Sequence, residues 1–233
     1  MDGTRVNASR GHYAPSKGAT SIWKENKMKP KRGPVMMSVL FSLTVVLAGC
    51  AHSLGDGWIT LIDGETGLDN WNRIGDANWR AEGGAIVANR GKGGYLVSKN
   101  TYKDFEIRAE FWAESSTNSG IFIRCADPAK ITAADCYEVN IWDTRPELNY
   151  ATGAIVNHAA VPVPIIYKAA DKWSTFEITA KGATLTVKFD GVVSVNIEDR
   201  KRADGPFALQ FGLGAQGAPG GVIKWRKVQI RTL

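Results

Sequence analysis

Histidine and cysteine are scarce in this chain, and the motifs of several common enzyme classes are missing. The 233 residues hold three histidines, and only His52 and His158 follow residue 50. Neither a G-x-S-x-G nor an H-E-x-x-H sequence occurs, which disfavours a serine-triad hydrolase and a multi-histidine metal site. No amphipathic helical pattern exceeds a turn or two, and no internal repeat is present. These absences direct attention to an all-β protein whose chemistry depends on other side chains.

The basic charge of the chain is confined to its first part. The net charge is +6, and residues 1–50 carry eight Lys/Arg against two Asp/Glu, which accounts for all of it. Residues 51–233 hold 21 residues of each sign. A balanced surface of this kind has no electrostatic footprint for a polyanion, so we expect no nucleic-acid partner.

The first part of the chain reads as an export signal with a lipidation site. Four cations, Lys27, Lys29, Lys31 and Arg32, precede an apolar run over 35–48 that ends in Leu47-Ala48-Gly49-Cys50. A bilayer-spanning helix needs roughly 20 apolar residues, so this shorter run is typical of a signal peptide. The order of basic flank, apolar run, small residues and cysteine predicts a bacterial lipobox with Cys50 acylated. A buried element that happens to end in cysteine is the alternative.

This interpretation divides the chain into four parts. Residues 1–27 are an over-extended start, because Met28 begins the basic region. Residues 28–49 are the lipoprotein signal peptide, 50–56 are the lipidated anchor and a short linker, and 57–233 form one β-sandwich domain. We therefore expect a protein held by its N-terminal lipid in the bacterial cell envelope. Ala51 after the cysteine favours the outer membrane, facing the periplasm.

Past Cys50 the sequence alternates with the period of β-strands. The run 105–111 places four apolar residues on one face and charged residues on the other. Asp190-Gly191 joins two further alternating runs, and this pair predicts a tight hairpin, because both central residues of a type I′ turn need positive φ. A last strand near 222–231 turns Val228 and Ile230 inward. Regularly spaced strands with glycine-rich turns predict a sandwich or jelly roll.

Two cysteines remain in the predicted domain. Cys125 and Cys136 each flank a predicted strand, and an exported protein matures where disulfides persist. We expect them to form a disulfide, with two free thiols as the alternative. No nearby histidine or third cysteine completes a metal site.

Polar side chains share faces of the middle strands. A regular strand over 118–124 places Asn118, Phe122 and Arg124 on one face. In the next run Glu138, Asn140 and Trp142 share a face, opposite a row of apolar residues. Tryptophan offers a flat surface to a sugar ring, while the polar groups bind hydroxyls, so this pattern suits a carbohydrate site. A solvated outer face with a structural ion pair is the alternative.

An ordered series of motifs makes residues 57–233 resemble a known family, the domain of unknown function 1080, described as the 3-keto-disaccharide hydrolase or 3-keto-glucoside lyase/hydratase domain. The motifs include Gly57-Trp58, Leu61-Ile62-Asp63-Gly64, Leu68-Asp69-Asn70-Trp71, Asn118-Ser119-Gly120-Ile121-Phe122-Ile123-Arg124, Tyr137-Glu138-Val139-Asn140-Ile141 with Asp143, and Gly205-Pro206-Phe207-Ala208-Leu209-Gln210. The resemblance implies a concanavalin A-type jelly roll. One departure stands out: family enzymes commonly carry His-Gly shortly after this Leu-Gln, whereas Phe211-Gly212 follows here.

The resemblance also implies a reaction and roles for the polar residues. A ketone at C3 of a sugar acidifies the proton at C2, so a base removes it, the substituent at C1 leaves, and water adds. On this hypothesis Glu138 or His158 is the base and Arg124 stabilises the developing negative charge. Asp143 is the acid or positions a divalent ion, with no cofactor certain and the metal unknown. The substrate-binding residues are Asn118, Asn140 and Trp142.

Three functions are consistent with the sequence. The first is an enzyme acting on 3-keto-glycosides. The second is a non-catalytic glycan-binding module on the same scaffold, which the missing histidine favours. The third is a structural or assembly lipoprotein. The partners expected for the first two are a carbohydrate and, through the lipid, a membrane.

Replacing Cys50 tests the lipobox. Cys50→Ala should abolish metabolic labelling with palmitate and move the protein from the membrane fraction to the soluble fraction, because the acylated thiol is the anchor. The matched control Ser53→Ala should remain labelled and membrane-bound. Label that persists in Cys50→Ala would show that the cysteine is not the lipidation site.

Overall fold

The structure is a computed structural model that describes Ser53–Leu54 and residues 57–233. The over-extended start, the signal peptide, the lipidation site Cys50 and most of the short linker lie outside the described residues. Within the described part, no helix is long and apolar enough to cross a membrane.

The described residues form fourteen strands and three short 3₁₀ turns, without an α-helix. The strands are β1 (Ser53–Leu54), β2 (Trp58–Asp63), β3 (Trp71–Gly75), β4 (Arg80–Glu82), β5 (Ala85–Ala88), β6 (Gly94–Ser98), β7 (Phe105–Ala113), β8 (Ser119–Ile123), β9 (Tyr137–Ile141), β10 (Trp173–Lys181), β11 (Thr184–Phe189), β12 (Val192–Glu198), β13 (Ala208–Phe211) and β14 (Ile223–Thr232). The 3₁₀ turns are Leu68–Asn70, Leu148–Tyr150 and Ala215–Gly217. The predicted all-β fold is confirmed.

The strands build two antiparallel sheets. The nine-stranded sheet has the order β1-β2-β14-β7-β10-β11-β12, with β5 also paired to β14 and β4 to β5. The five-stranded sheet has the order β3-β6-β13-β8-β9. The predicted hairpin joins β11 to β12, and Asp190 and Gly191 both have positive φ, 47° and 81°. This arrangement is the predicted jelly-roll sandwich.

The core lies between the sheets and is made by the inward row of each strand. The four apolar residues of β7 at 105, 107, 109 and 111 are almost completely buried, as their alternation predicts. Val228 and Ile230 of β14 are buried beside them. The charged residues of the same strands lie on the outer face, where Arg231 pairs with Glu106.

The strands β8 and β9 are buried on both faces, unlike most others. Their inward row joins the main core. On the outer face a second apolar cluster forms, consisting of Val97, Phe122, Cys125, Ile131, Cys136 and Ala208. Cys125 and Cys136 form the predicted disulfide at one side of this cluster. Because an antiparallel sheet often leaves one face to water, a covered outer face marks this region as special.

Gly205 packs against the backbone at the end of β8 so closely that no side chain fits at this position. Its φ is +146°, and a Cβ atom built there would lie 2.3 Å from the carbonyl oxygen of Cys125. Its backbone also exchanges hydrogen bonds with Tyr102. A methyl group at this position would therefore force two backbone segments apart.

We expect Gly205→Ala to destabilise the domain by several kcal/mol, the range seen for overpacked and strained sites. Gly84→Ala is the matched control, because Gly84 also has positive φ, +78°, but nothing lies within 4 Å of its Cβ direction. That variant should lose only about 1–2 kcal/mol, the cost of the left-handed conformation for a residue with a Cβ atom. Urea denaturation compares the two, and equal losses would show that the close approach at Gly205 is unimportant.

Candidate functional site

The outer face of the five-stranded sheet carries polar side chains on three of its strands, β6, β9 and β13. Pairing places Phe122 opposite Glu138 and Gly120 opposite Asn140. On the other side of β8, Gln210 of β13 lies opposite Tyr95 of β6. The predicted shared face of Glu138 and Asn140 is confirmed, since the residues between them pack into the core.

Glu138 is the most unusual group on this face. Its side chain is only 7% exposed, and no group in the described part of the chain donates a hydrogen bond to its carboxylate. Burial raises its pKa from 4.5 to about 7, an effect that the positive charge of Arg145 partly opposes. A buried, unpaired carboxylate with a shifted pKa in a polar recess is typical of a catalytic acid or base.

Glycine leaves a small space beside this carboxylate. A Cβ atom at Gly120 would lie 3.5 Å from Cγ and 3.6 Å from Oε1 of Glu138, and 3.0 Å from the Val139 carbonyl oxygen. The absence of a side chain therefore leaves a notch beside the carboxylate. Phe122 closes one end of the notch, and Asn118 lies at the other.

Tyr95 and Gln210 border the notch on the side away from Glu138. Gln210 Nε2 donates to Tyr95 Oη at 3.5 Å, while Gln210 Oε1 is buried and accepts no hydrogen bond from any described residue. Burial raises the pKa of Tyr95, and the negative charge of Glu138 adds to this effect. Phe122 meets the Tyr95 ring edge-on, with centroids 5.4 Å apart, and so holds the phenol in place.

The three predicted substrate-binding residues differ in their exposure and contacts. Asn140 Nδ2 donates to the Tyr150 carbonyl oxygen at 2.6 Å, but its Oδ1 is buried without a partner in the described chain. Asn118 Nδ2 donates to the Leu213 carbonyl oxygen. Trp142 directly follows β9 and is half-buried. Asn140 is fully buried, so its side chain braces the loop that carries Tyr150 and is not exposed to solvent.

Arg145 is a site residue that the sequence reasoning did not identify. It lies in the loop after β9, where its guanidinium stands 5.5 Å from the Trp142 ring and its Nε is 3.2 Å from Glu147 Oε2. It is the cation whose charge acts on Glu138. Tyr95 was also missed, because it comes from a strand far away in the chain.

Arg124 does not lie with Glu138, and the prediction that it shares a face with Asn118 and Phe122 is wrong. It follows the last residue of β8 with φ of +50°, so the alternation of the strand no longer holds. Its fully buried guanidinium donates to the backbone carbonyl oxygens of Lys103, Gly182 and Arg202. It also donates to the carboxylate of Asp104. These contacts tie the end of β8 to the β10–β11 turn of the other sheet.

His158 also lies apart from Glu138. Its Nδ1 is 2.9 Å from Asp199 Oδ2, and its ring packs against Tyr137. Tyr137 belongs to the inward row of β9, so this cluster is on the other side of the sheet from the carboxylate. Tyr137 Oη donates to the second oxygen of Asp199 at 2.7 Å. The structure therefore brings the two predicted bases to opposite faces.

Asp143 uses both carboxylate oxygens to hold loops together. It accepts a hydrogen bond from Thr152 Oγ1 at 2.6 Å and others from the backbone N–H groups of Ala169 and Ala170. These hydrogen bonds give Asp143, the residue after Trp142, a structural role in holding the loops. In the described residues, no three His, Cys, Asp or Glu side chains are grouped to hold a metal ion.

Comparison with known proteins relates this site to carbohydrate chemistry. A family model described as the 3-keto-alpha-glucoside-1,2-lyase-like domain matches residues 57–231. A 3-keto-disaccharide hydrolase from Bacteroides thetaiotaomicron is 34% identical over 79 residues, which are 29% of this chain and 27% of that protein. The match thus spans about a quarter of the relative.

Solved structures share the fold at low sequence identity. The structure of a "putative glycosyl hydrolase" from Parabacteroides distasonis has a TM-score of 0.61 at 20% identity, covering 76% of this chain and 99% of the other. A second structure described in the same words, from the same organism, has a TM-score of 0.56 at 14% identity, covering 76% and 89%. The Ca²⁺/Man-bound exoplasmic domain of VIP36 has a TM-score of 0.54 at 10% identity, covering 78% and 92%.

The burial of Glu138 predicts a pH-dependent stability. The unfolded carboxyl loses its proton near pH 4.5, whereas the folded one holds it to about pH 7. Between these values the folded state binds more protons than the unfolded state, so the free energy of unfolding falls as pH rises. The full loss of stability is reached above pH 7. At about 1.4 kcal/mol per pKa unit this cost is about 3 kcal/mol. The free energy of unfolding of Glu138→Gln should therefore rise relative to that of the wild type between pH 4.5 and 8, as measured by urea denaturation.

Glu198→Gln is the control, since Glu198 is exposed. If the difference in unfolding free energy between Glu138→Gln and the wild type did not change with pH, the shifted pKa of Glu138 would be contradicted.

Proposed function

The chain belongs to the 3-keto-alpha-glucoside-1,2-lyase-like domain family, and from this membership we propose that it cleaves 3-keto-glycosides, including 3-keto-disaccharides, by elimination and hydration. The observation that carries the proposal is the carboxylate of Glu138, buried beside the glycine notch with its pKa near 7. A base of this strength at neutral pH is what removal of a proton next to a ketone requires.

The reaction begins with transfer of the C2 proton to Glu138. The electron pair of the broken C2–H bond passes into the C3 ketone and forms an enolate. When the enolate collapses, the C1–O bond breaks, the leaving oxygen takes up a proton, and an unsaturated ketone remains. Addition of water across the C1–C2 double bond then yields the free 3-keto sugar. No oxidant or reductant is consumed.

The side chains around the notch suit these steps. Arg145 is the cation near Glu138, so it takes the place of Arg124 in the proposal as the group that stabilises negative charge on the enolate. Tyr95, whose raised pKa keeps it protonated, is the candidate proton donor to the leaving oxygen. Gln210 is half-buried beside Tyr95, and its amide group is the candidate contact for a sugar hydroxyl. His158 and Asp143 lie outside this arrangement.

The family's relatives support the substrate class. The Bacteroides relative is named a 3-keto-disaccharide hydrolase. We also propose that the domain is anchored by a lipid on Cys50 in the bacterial cell envelope, on the periplasmic side of the outer membrane. This part of the proposal depends on the sequence pattern alone.

A glycan-binding module without catalytic activity is the second candidate. It is favoured by one observation in the sequence, the Phe211-Gly212 pair that follows Leu209-Gln210 without a histidine. Such a module would use the same face, with the half-buried side chains of Trp142 and Gln210 as its sugar contacts.

A chromogenic 3-keto-glucoside distinguishes the two candidates. The mature protein should release the aglycone with a kcat/KM that rises with pH and levels off above about pH 7, as Glu138 loses its proton. Glu138→Gln should reduce the rate about 10²–10⁴-fold, the usual contribution of a general base. Glu198→Gln should keep the wild-type rate and profile.

The outcome separates the candidates cleanly. Full activity in Glu138→Gln would remove this carboxylate from the mechanism. No release by the folded wild type, with or without divalent ions, together with binding of the intact 3-keto-glucoside, would establish the binding module.

A further inference from the structure

A depression on the outer face continues from the Glu138 notch toward the opposite edge of the five-stranded sheet. Its volume is about 320 Å³, and it is lined by residues of β3, β6 and β13 together with the residues just before β6 and β8 and just after β13. Tyr95 and Gln210 border both the notch and the depression. The two recesses are therefore adjacent, with one shared wall.

Glycine makes the floor of this depression. A Cβ atom at Gly94 would lie 2.7 Å from the Ile74 carbonyl oxygen, and one at Gly212 would lie 2.8 Å from Asn118 Nδ2. Larger residues at these positions would displace their neighbours. Both glycines are buried, and the close approach of neighbouring segments that they allow gives the recess a tightly packed floor.

The walls combine apolar and polar groups. Ile74 and Leu213 supply aliphatic surface, while Asn118 and Gln210 supply amide groups. Lys92 is the charged side chain of the lining, and it lies exposed at the rim. A pyranose ring has apolar faces and hydroxyl edges, so it matches this mixture better than a purely apolar or strongly charged ligand does.

From this geometry we propose that the depression is a subsite for the leaving group, which it accepts as a second sugar ring. The inference rests on the proposed function, since the first ring must lie over Gly120 beside Glu138. Neighbouring strands are about 4.8 Å apart, so β9 and β13 are separated by about 10 Å. One ring does not span this distance, whereas a disaccharide reaches from Glu138 past Gln210. The volume lies at the lower end of the roughly 300–1,000 Å³ of small-molecule sites, so the depression holds one ring and not a long chain.

The subsite is tested by binding to the mature Glu138→Gln protein, in which the expected slow turnover leaves the sugar intact during the measurement. Calorimetry compares methyl 3-keto-glucoside, a 3-keto-disaccharide and an aryl 3-keto-glucoside. The disaccharide should bind about tenfold more tightly than the methyl glycoside, a difference of about 1.4 kcal/mol. Adding Leu213→Trp, which fills the depression, should remove this advantage and leave methyl glycoside binding unchanged. Ile74→Trp on the opposite wall should act in the same way.

A matched control and the contrary outcomes complete the test. Val192→Trp adds the same bulk to an exposed position on β12 of the other sheet, so it should change neither affinity. Equal binding of the disaccharide and the methyl glycoside, or an unchanged advantage in both filled variants, would overturn the subsite while leaving the proposed function intact. Tighter binding of the aryl glycoside than of the disaccharide would overturn its assignment to a sugar ring. Binding of none of the three sugars, with no turnover by the wild type, would overturn both proposals.

Discussion

Each strand of the two sheets buries one row of side chains between the sheets, and the position of the site depends on this packing. The inward residues of the two sheets interdigitate and are excluded from water, including Trp225, Phe111 and Phe176. Because side chains alternate along a strand, a shift of one residue would move Glu138 into this core. The apolar residues on the hidden face therefore fix the position of the carboxylate on the visible one. The placement of the polar residues on the outer face is thus a consequence of apolar packing on the opposite face of the same strands.

The desolvation of Glu138 is the second requirement. The second apolar cluster, together with the loop that carries Arg145, covers the outer face and removes the carboxylate from water. A protein that only held sugars would gain more from an ionised, hydrogen-bonded carboxylate, because such a group binds hydroxyls strongly and costs less to bury. A carboxylate left without donors is costly to the folded state and useful mainly for moving a proton. This imbalance favours the enzyme over the lectin-like module.

The sequence was informative where a property is local. Alternation along single strands predicted the all-β sandwich, the inward row of β7, the Asp190-Gly191 hairpin and the common face of Glu138 and Asn140. It failed for Arg124, because a positive φ after β8 reverses the side chain and no strand pattern encodes that turn. It could not find Tyr95 or Arg145, because the first reaches the site through the pairing of distant strands and the second through a loop. The disulfide was predictable, since both cysteines flank neighbouring strands.

The missing histidine changes which residues must carry the chemistry. After Leu209-Gln210 the chain places Phe211 in the core and Gly212 on the outer face, where the Asn118 amide fills the adjacent space. A larger residue at Gly212 would collide with that amide, so a histidine side chain cannot be accommodated at that position without repacking. In the proposed reaction, proton transfer on this face therefore falls to Glu138 and the groups that border its notch, and the loop bearing Arg145 supplies the positive charge.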